Sequence, residues 1–166
     1  LGGFVCPVTV VAADLWKIGQ LKPGDSLQFS LISHKQATEL HGEQEERINR
    51  LKMPEEGSES IPLISSSAES CILAKGKSQL EEWVIRQSGD RNLLVEFGEP
   101  ILDLGLRFKV HLFHQLLLQA KITGVVDLTP GIRSLQVHFD PLLVSREEVL
   151  QWTTSFIEKL EVVSSG

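Results

Sequence analysis

The sequence predicts an α+β fold made of two unequal parts joined by a polar linker. Residues 1–32 have the composition of β-strands but are too few to form a domain. Residues 53–79 are rich in Pro, Gly and Ser, and residues 83–163 alternate strand-like and helix-like patterns. We therefore divide the chain into an incomplete β domain at 1–34, a helix with a polar linker at 35–80, and a small ferredoxin-like α/β sandwich at 81–166.

Composition limits the classes of function. The 166 residues carry a formal net charge of -6, and 42% of them are hydrophobic. An acidic chain is unsuited to nonspecific nucleic-acid binding, and no apolar stretch approaches the ~20 residues of a membrane helix. We expect neither nucleic acid nor a membrane as partner. Two cysteines, Cys6 and Cys71, are too few for a disulfide framework, and unpaired thiols indicate a reducing, cytoplasmic location.

The first part of the chain predicts short strands and turns. β-branched and aromatic residues favour strands at 4–5 and 8–11, and the alternation Ser-Leu-Gln-Phe-Ser-Leu favours another at 26–31. Asp14 can cap a helical turn that runs to Gly19, and Lys-Pro-Gly-Asp at 22–25 predicts a turn. The chain has no initiator Met and begins within an apolar run. We expect a piece of a longer protein, with the rest of this β domain upstream.

The middle of the chain predicts a helix and then a linker. Residues 36–52 are rich in Glu, Gln and Arg, with a thin apolar stripe at Leu40, Ile48 and Leu51, which indicates a helix. Residues 53–79 contain Pro, Gly and a run of serines, a composition that does not support a hydrophobic core. We therefore expect a linker over that range.

The last part predicts the order strand, strand, helix, strand, strand, helix. The predicted strands lie at 83–85, 93–97, 122–128 and 134–139, and the helices at 101–120 and 146–160. Apolar residues at 101, 104, 108, 112 and 116, with others beside them at 102, 106, 113 and 117, form a broad helical stripe that we expect the sheet to cover, and Pro100 is expected to open that helix. Ser145 and Glu148 form a capping box. Residues 160–163 are a candidate edge strand.

Two turns hold the candidate binding residues. Asp90 and Arg91 follow Gly89 at the first turn, and the second offers Thr129, Gly131, Arg133 and Ser134. Backbone N–H groups, a hydroxyl and a guanidinium together can hold a carboxylate, carbamate or ureido oxygen. The structural alternatives are a turn acid at Asp90, a rigid hairpin at the second turn, and a pair between Asp127 and Arg133. Catalytic residues stay unassigned, and His111 and His114 lack the neighbours that a metal site needs.

These turns and strands also carry a family resemblance. Residues 89–98, Gly-Asp-Arg-Asn-Leu-Leu-Val-Glu-Phe-Gly, and residues 130–141 resemble the allophanate hydrolase subunit 1 family, which includes kinase A inhibitor proteins and a 5-oxoprolinase subunit. Residues 1–29 resemble the end of the partner subunit 2 family. In this order within one chain, the two parts resemble the carboxyltransferase domain of the urea carboxylase family.

The resemblance implies an activity for the longer protein. In that family a carboxyl group moves from carboxybiotin to a urea nitrogen and gives allophanate, and both halves contain a cyclophilin-like β-barrel. It implies biotin and ATP as cofactors elsewhere in the polypeptide, with no cofactor or metal bound by this fragment. The implied partners are the missing barrel halves, the biotin carboxylase and biotin carrier domains, urea and carboxybiotin. The fragment alone is expected to be inactive.

Two other functions remain open at this point. A fused 5-oxoprolinase would open an amide ring with ATP and without biotin. A regulator resembling the kinase A inhibitor would have no enzymatic activity. The order of the two halves in one chain favours urea carboxylase, because the other members usually keep the halves on separate chains.

Overall fold

A computed structural model describes residues 8–51, 70–77 and 81–164, with side chains described to residue 160. The chain divides into two compact units, Leu1–Glu69 and Ser70–Gly166. Each unit is described by itself.

The first unit contains three helical segments. They are a 3₁₀ turn at Ala12–Asp14, helix α1 at Leu15–Gly19 and helix α2 at His34–Asn49. Helix α2 confirms the predicted helix and begins two residues earlier, because Ser33 and Gln36 form a capping box that the sequence analysis missed. Ala13 of the 3₁₀ turn and Ala37 and His41 of α2 are buried.

The predicted turns of the first unit are confirmed, and two of its strands are not. The Asp25 N–H donates to the Lys22 carbonyl at 3.1 Å, and Gly24 has a φ of +99°. Asp14 pairs with Lys17 at 2.8 Å instead of capping α1. The strand predictions at 8–11 and 26–31 were wrong, because among the described residues neither segment has a neighbouring strand to pair with. The strand predicted at 4–5 lies outside the described residues.

The second unit is an antiparallel sheet with two helices. Its elements are β1 at Ile72–Lys77, β2 at Glu82–Gln87, β3 at Asn92–Phe97, α3 at Leu104–Ala120, β4 at Val125–Pro130, β5 at Ser134–Phe139 and α4 at Arg146–Ser164. The strand order is β1-β2-β3-β5-β4. Because β5 lies between β3 and β4, the segment β3-α3-β4 is a split β-α-β unit.

The sheet corrects two predictions. Strand β1 lies within the range assigned to the linker, and its backbone pairs with β2 from Ile72 to Lys77. The edge strand predicted at 160–163 was wrong, because α4 continues to Ser164. Strand β3 already pairs with β2 on one side and with β5 on the other.

Side chains from one face of the sheet and from both helices form a single core. Strands β2, β3 and β5 contribute alternate residues, as one-face burial requires. The largest fully buried side chains include Phe97, Phe113 and Phe139. The rings of Phe97 and Phe113 meet edge to face, with centroids 5.5 Å apart.

Helix α3 presents only one side of the predicted broad stripe to the core. Its buried residues are Leu106, Val110, Phe113 and Leu117. Leu104, Phe108 and Leu112 of the predicted stripe are exposed by 78%, 67% and 49%. The predicted stripe is broader than one buried face, so periodicity alone could not tell which side of it meets the sheet.

Helix α3 also begins later than predicted. Asp103 is its N-cap, and the Asp103 carboxylate accepts a hydrogen bond from the Leu106 N–H at 3.0 Å. Pro100 lies in the preceding loop. An acidic cap satisfies a free N–H group and lies at the positive end of the helix dipole.

We expect Asp103→Ala to lower the free energy of unfolding by about 1 kcal/mol, because the Leu106 N–H loses its acceptor. Chemical denaturation followed by circular dichroism measures this change. The control is Asp103→Asn, which keeps an acceptor oxygen and should lose less. Equal losses for Ala and Asn would contradict the capping role.

Helix α4 begins with the predicted capping box. The Glu148 N–H donates to the Ser145 hydroxyl at 3.2 Å, and the Ser145 N–H donates to the Glu148 carboxylate at 3.0 Å. The hydrogen bonds from the Ser145 hydroxyl and N–H lower the pKa of the Glu148 carboxyl below its ordinary value. The ionised carboxylate is therefore favoured in the folded state.

This lowered pKa predicts a pH dependence. Stabilisation by the Glu148 charge is present above the unfolded-state pKa and is lost as the pH falls through the lower folded-state pKa. Glu148→Gln keeps the capping geometry without a titrating group. We expect the stability advantage of wild type over Glu148→Gln to shrink between about pH 6 and about pH 3. Thermal unfolding of both proteins over that range tests it, and a constant difference would contradict it.

Candidate functional site

The sheet of the second unit has a polar face opposite its core. Residues alternate along a strand, so those between the buried positions of β2, β3 and β5 point away from the two helices. This outer face carries Val84, Arg86, Asn92, Leu94, Glu96, Ser134, Gln136 and His138, all of them half-buried. Arg86 and Glu96 are the Arg and Glu among these eight residues, and they lie on neighbouring strands.

Glu96 is the centre of an ion-pair network on the outer face. Its carboxylate accepts a hydrogen bond from Arg86 Nε at 2.6 Å and one from Arg133 Nη2 at 2.5 Å. The Glu96 side chain is 15% exposed, whereas that of Arg86 is 38% exposed. Arg133 Nη1 also donates to the Gly98 carbonyl at 3.1 Å. Two cations thus share one carboxylate, and Arg133 is fixed at two points.

The network favours the charged form of Arg86. The hydrogen bond with Glu96 is the main cause that raises the pKa of the Arg86 guanidinium above its ordinary value. Arg86 therefore stays cationic throughout the usual pH range. The arrangement has a net positive charge, since one carboxylate faces two guanidinium groups.

The alternative pair between Asp127 and Arg133 is wrong. The Asp127 carboxylate instead accepts a hydrogen bond from the Thr129 hydroxyl at 2.8 Å. Thr129 and Pro130 belong to β4, so the turn itself spans 131–133. Within this turn the Gly131 N–H donates to the Ser134 carbonyl at 2.7 Å, which makes the hairpin tight.

The structure separates the six candidate binding residues into two groups. Arg133 and Ser134 lie beside the end of β3, since the Phe97 N–H donates to the Arg133 carbonyl at 2.9 Å. Asp90 and Arg91 precede the start of β3, where the Phe139 N–H donates to the Arg91 carbonyl at 2.9 Å. The length of β3 puts about 15–20 Å between the two groups. They cannot contact one small molecule together, and their role in binding stays a prediction.

The turn that holds Asp90 and Arg91 is tied to the sheet by Gln87. The Gln87 side-chain amide donates to the carbonyls of Gly89 and Asn92, the latter at 3.3 Å. Arg91 Nε and Gln87 Oε1 are buried and have no hydrogen-bond partner among the described residues. Backbone hydrogen bonds and the Gln87 amide therefore hold this turn. Arg91 Nε and Gln87 Oε1 could each form one further hydrogen bond.

A shallow open groove of about 300 Å³ lies elsewhere, between the end of α3 and strand β4. Leu117, Leu118, Ile122 and Leu128 make it largely apolar, and His114, Lys121 and Asp127 add polar groups. In the described ranges no three His, Cys, Asp or Glu side chains come together in a way that could hold a metal ion. Among the described helices, none is long and apolar enough to cross a bilayer.

Sequence reasoning missed Arg86 and Glu96. The signal that could have found them is their position, since each interrupts an apolar strand at a residue that points away from the core. A charged pair on neighbouring strands at such positions predicts a cross-strand ion pair. The register in which β3 pairs with β5 brings Arg133 to the Glu96 carboxylate as well. The sequence alone does not specify this register.

Arg133→Lys tests whether Arg133 is held for structural reasons. Lysine keeps the charge beside Glu96 but has no planar fork to reach Glu96 and the Gly98 carbonyl together. We expect a loss of about 1 kcal/mol in the free energy of unfolding. The control is Arg107→Lys, because exposed Arg107 has no ion pair with a described residue. An unchanged free energy of unfolding for Arg133→Lys would contradict the structural role.

Comparison with known protein families now defines the class of the chain. The model of carboxyltransferase domain subdomains C and D matches residues 83–165, and the model of subdomains A and B matches residues 1–31. The chain belongs to the carboxyltransferase domain family.

The similar proteins within this family are named urea amidolyase and urea carboxylase. Urea amidolyase of Lachancea kluyveri is 35% identical over 97% of this chain, and that of Saccharomyces cerevisiae (strain ATCC 204508 / S288c) is 33% identical over 97%. The chain spans 9% of the length of each relative. The crystal structure of Kluyveromyces lactis urea carboxylase aligns with a TM-score of 0.80 and 30% identity over 91% of this chain and 14% of that one. The family resemblance and the α+β class are confirmed.

Proposed function

We propose that this chain is part of the carboxyltransferase component of an ATP- and biotin-dependent urea carboxylase. The proposed reaction moves a carboxyl group from carboxybiotin to a urea nitrogen and forms allophanate. The observation that carries the proposal is the order of the two family matches, with subdomains A and B before C and D in one chain. Relatives named urea amidolyase match across both parts, including the segment between them.

In this proposal the described residues of this chain contribute a scaffold, and the cofactors bind elsewhere in the polypeptide. The Arg133 guanidinium is occupied by Glu96 and the Gly98 carbonyl, and the groove beside β4 is open and mostly apolar. These features do not suit ATP, whose phosphates need several free donors. Biotin and ATP are therefore assigned to other parts of a longer polypeptide, and this fragment alone is expected to be inactive.

The finer fold and location belong to the same proposal. Residues 1–34 would complete a cyclophilin-like barrel with sequence outside this chain, and residues 81–166 would form the ferredoxin-like start of the second half. The other segments of the polypeptide would supply the missing barrel halves, the biotin carboxylase domain and the biotin carrier domain. Activity in the cytoplasm is expected for such an enzyme.

The test is an assay of the longer protein from its complete gene. Release of ADP and fixation of labelled bicarbonate should both depend on urea, and avidin should abolish both because it sequesters biotin. ADP release that depends on 5-oxoproline and resists avidin would establish the 5-oxoprolinase alternative. Absence of any ATP cleavage with either substrate, together with inhibition of a protein kinase, would establish the regulatory alternative.

A further inference from the structure

Strand β1 covers one edge of the sheet but adds little to the core. It lies at the end of the strand order, pairs with β2, and shifts its register between Ile72 and Ala74. None of its six residues is buried, although Leu73 and Ala74 pack partly against the core. The buried core residues come instead from β2, β3, β5, the two helices and Val144. The core would therefore lose few contacts if β1 left the sheet.

One close contact joins β1 to a buried side chain of β2. Gly76 lies opposite Trp83 in the ladder of the two strands. A Cβ atom placed on Gly76 would lie 2.4 Å from Cζ2 of the Trp83 indole, so the ring packs directly on the Gly76 backbone. Trp83 is 8% exposed under this cover. Strand β1 therefore hides an aromatic ring as well as the backbone edge of β2.

Strand β2 is held in place by contacts that do not involve β1. It pairs with β3 from Trp83 to Gln87. At its start the Gly98 N–H donates to the Glu82 carbonyl at 2.8 Å, and Lys109 of α3 pairs with the Glu81 carboxylate. These contacts fix β2 to the rest of the sheet and to a helix, so an opening of β1 need not spread to β2.

We propose that β1 is a detachable strap. It opens from β2 while the rest of the second unit stays folded, and its opening uncovers the Trp83 ring and the edge of β2. An edge strand with few buried contacts opens at a lower free energy than global unfolding requires. The match to subdomains C and D begins at residue 83, so β1 lies outside the matched range. An uncovered strand edge is a surface on which another strand can pair. The proposal does not depend on the activity of the longer protein.

Native-state hydrogen exchange of the full chain, resolved by residue with NMR, tests the strap. The Gln87 N–H donates to the Cys71 carbonyl at 2.8 Å, so its exchange reports release of the segment that begins β1. The Phe97 N–H donates to the Arg133 carbonyl at 2.9 Å and reports the pairing of β3 with β5. Protection of Gln87 and of the β1 amides bonded to β2 should be about tenfold or more lower than that of Phe97. Equal protection at Gln87 and Phe97 would overturn the proposal.

Gly76→Ala tests the contact that holds the strap down. The added methyl group meets the Trp83 indole and should raise exchange at Gln87 by a further factor of about ten, with Phe97 unchanged. The matched control is Lys75→Ala, which alters an exposed side chain of the same strand and should change neither rate. Equal acceleration at Gln87 and Phe97, or none at Gln87, would overturn the proposal. The wild-type comparison decides the question if Gly76→Ala does not fold.

Discussion

Phe113→Ala is expected to lower the free energy of unfolding of the second unit by about 3–5 kcal/mol, the largest single loss predicted for this chain. Phe113 is fully buried in the core between the helices and the sheet. Truncation leaves a cavity and removes the edge-to-face contact with Phe97. Chemical denaturation followed by circular dichroism measures the loss.

The matched control for Phe113→Ala is Leu112→Ala, one residue earlier on the same helix. Leu112 is half exposed on the side of α3 that points away from the core, so its truncation should cost less than about 1 kcal/mol. Phe113→Leu keeps the comparison possible if the alanine variant does not fold, and it should fall between the two. Similar losses at positions 112 and 113 would show that the assignment of the buried face of α3 is wrong.

Glu96→Ala is expected to cost about 2 kcal/mol in the free energy of unfolding. Exposed ion pairs contribute about 0–1 kcal/mol, and breaking a fully buried pair costs about 3–5 kcal/mol. Glu96 lies between these limits, since its own side chain is mostly buried whereas Arg86 is screened by solvent. Its removal leaves Arg86 and Arg133 as neighbouring cations without their shared carboxylate.

A double-mutant cycle separates the network from the general effect of truncation. The cycle combines Glu96→Ala with Arg86→Ala and compares the sum of the single losses with the double loss. We expect the double variant to lose less than that sum, because the first change already breaks the pair. The control is Glu82→Ala, an exposed carboxylate on β2, which should change stability by less than about 0.5 kcal/mol. Additive losses would mean that Arg86 and Glu96 are not coupled.

The amino-acid sequence by itself determined the features that are encoded locally. Period-two alternation located β5, and the Ser145–Glu148 capping box located the start of α4. The residues at 89–98 and 130–141 carried the family resemblance, which the matches to carboxyltransferase subdomains confirm. These signals are readable because each depends on neighbouring residues in one segment.

Only the tertiary structure decided which partners meet across the chain. Sequence proximity suggested Asp127 for Arg133, but strand pairing brings Arg133 to Glu96. The edge strand predicted at 160–163 is instead the continuation of helix α4 to Ser164. The predicted apolar stripe of α3 contained both Phe108 and Phe113, and packing against the sheet buried Phe113 while Phe108 stayed exposed. These choices depend on strand register and on the fit of the whole core, which no single segment specifies.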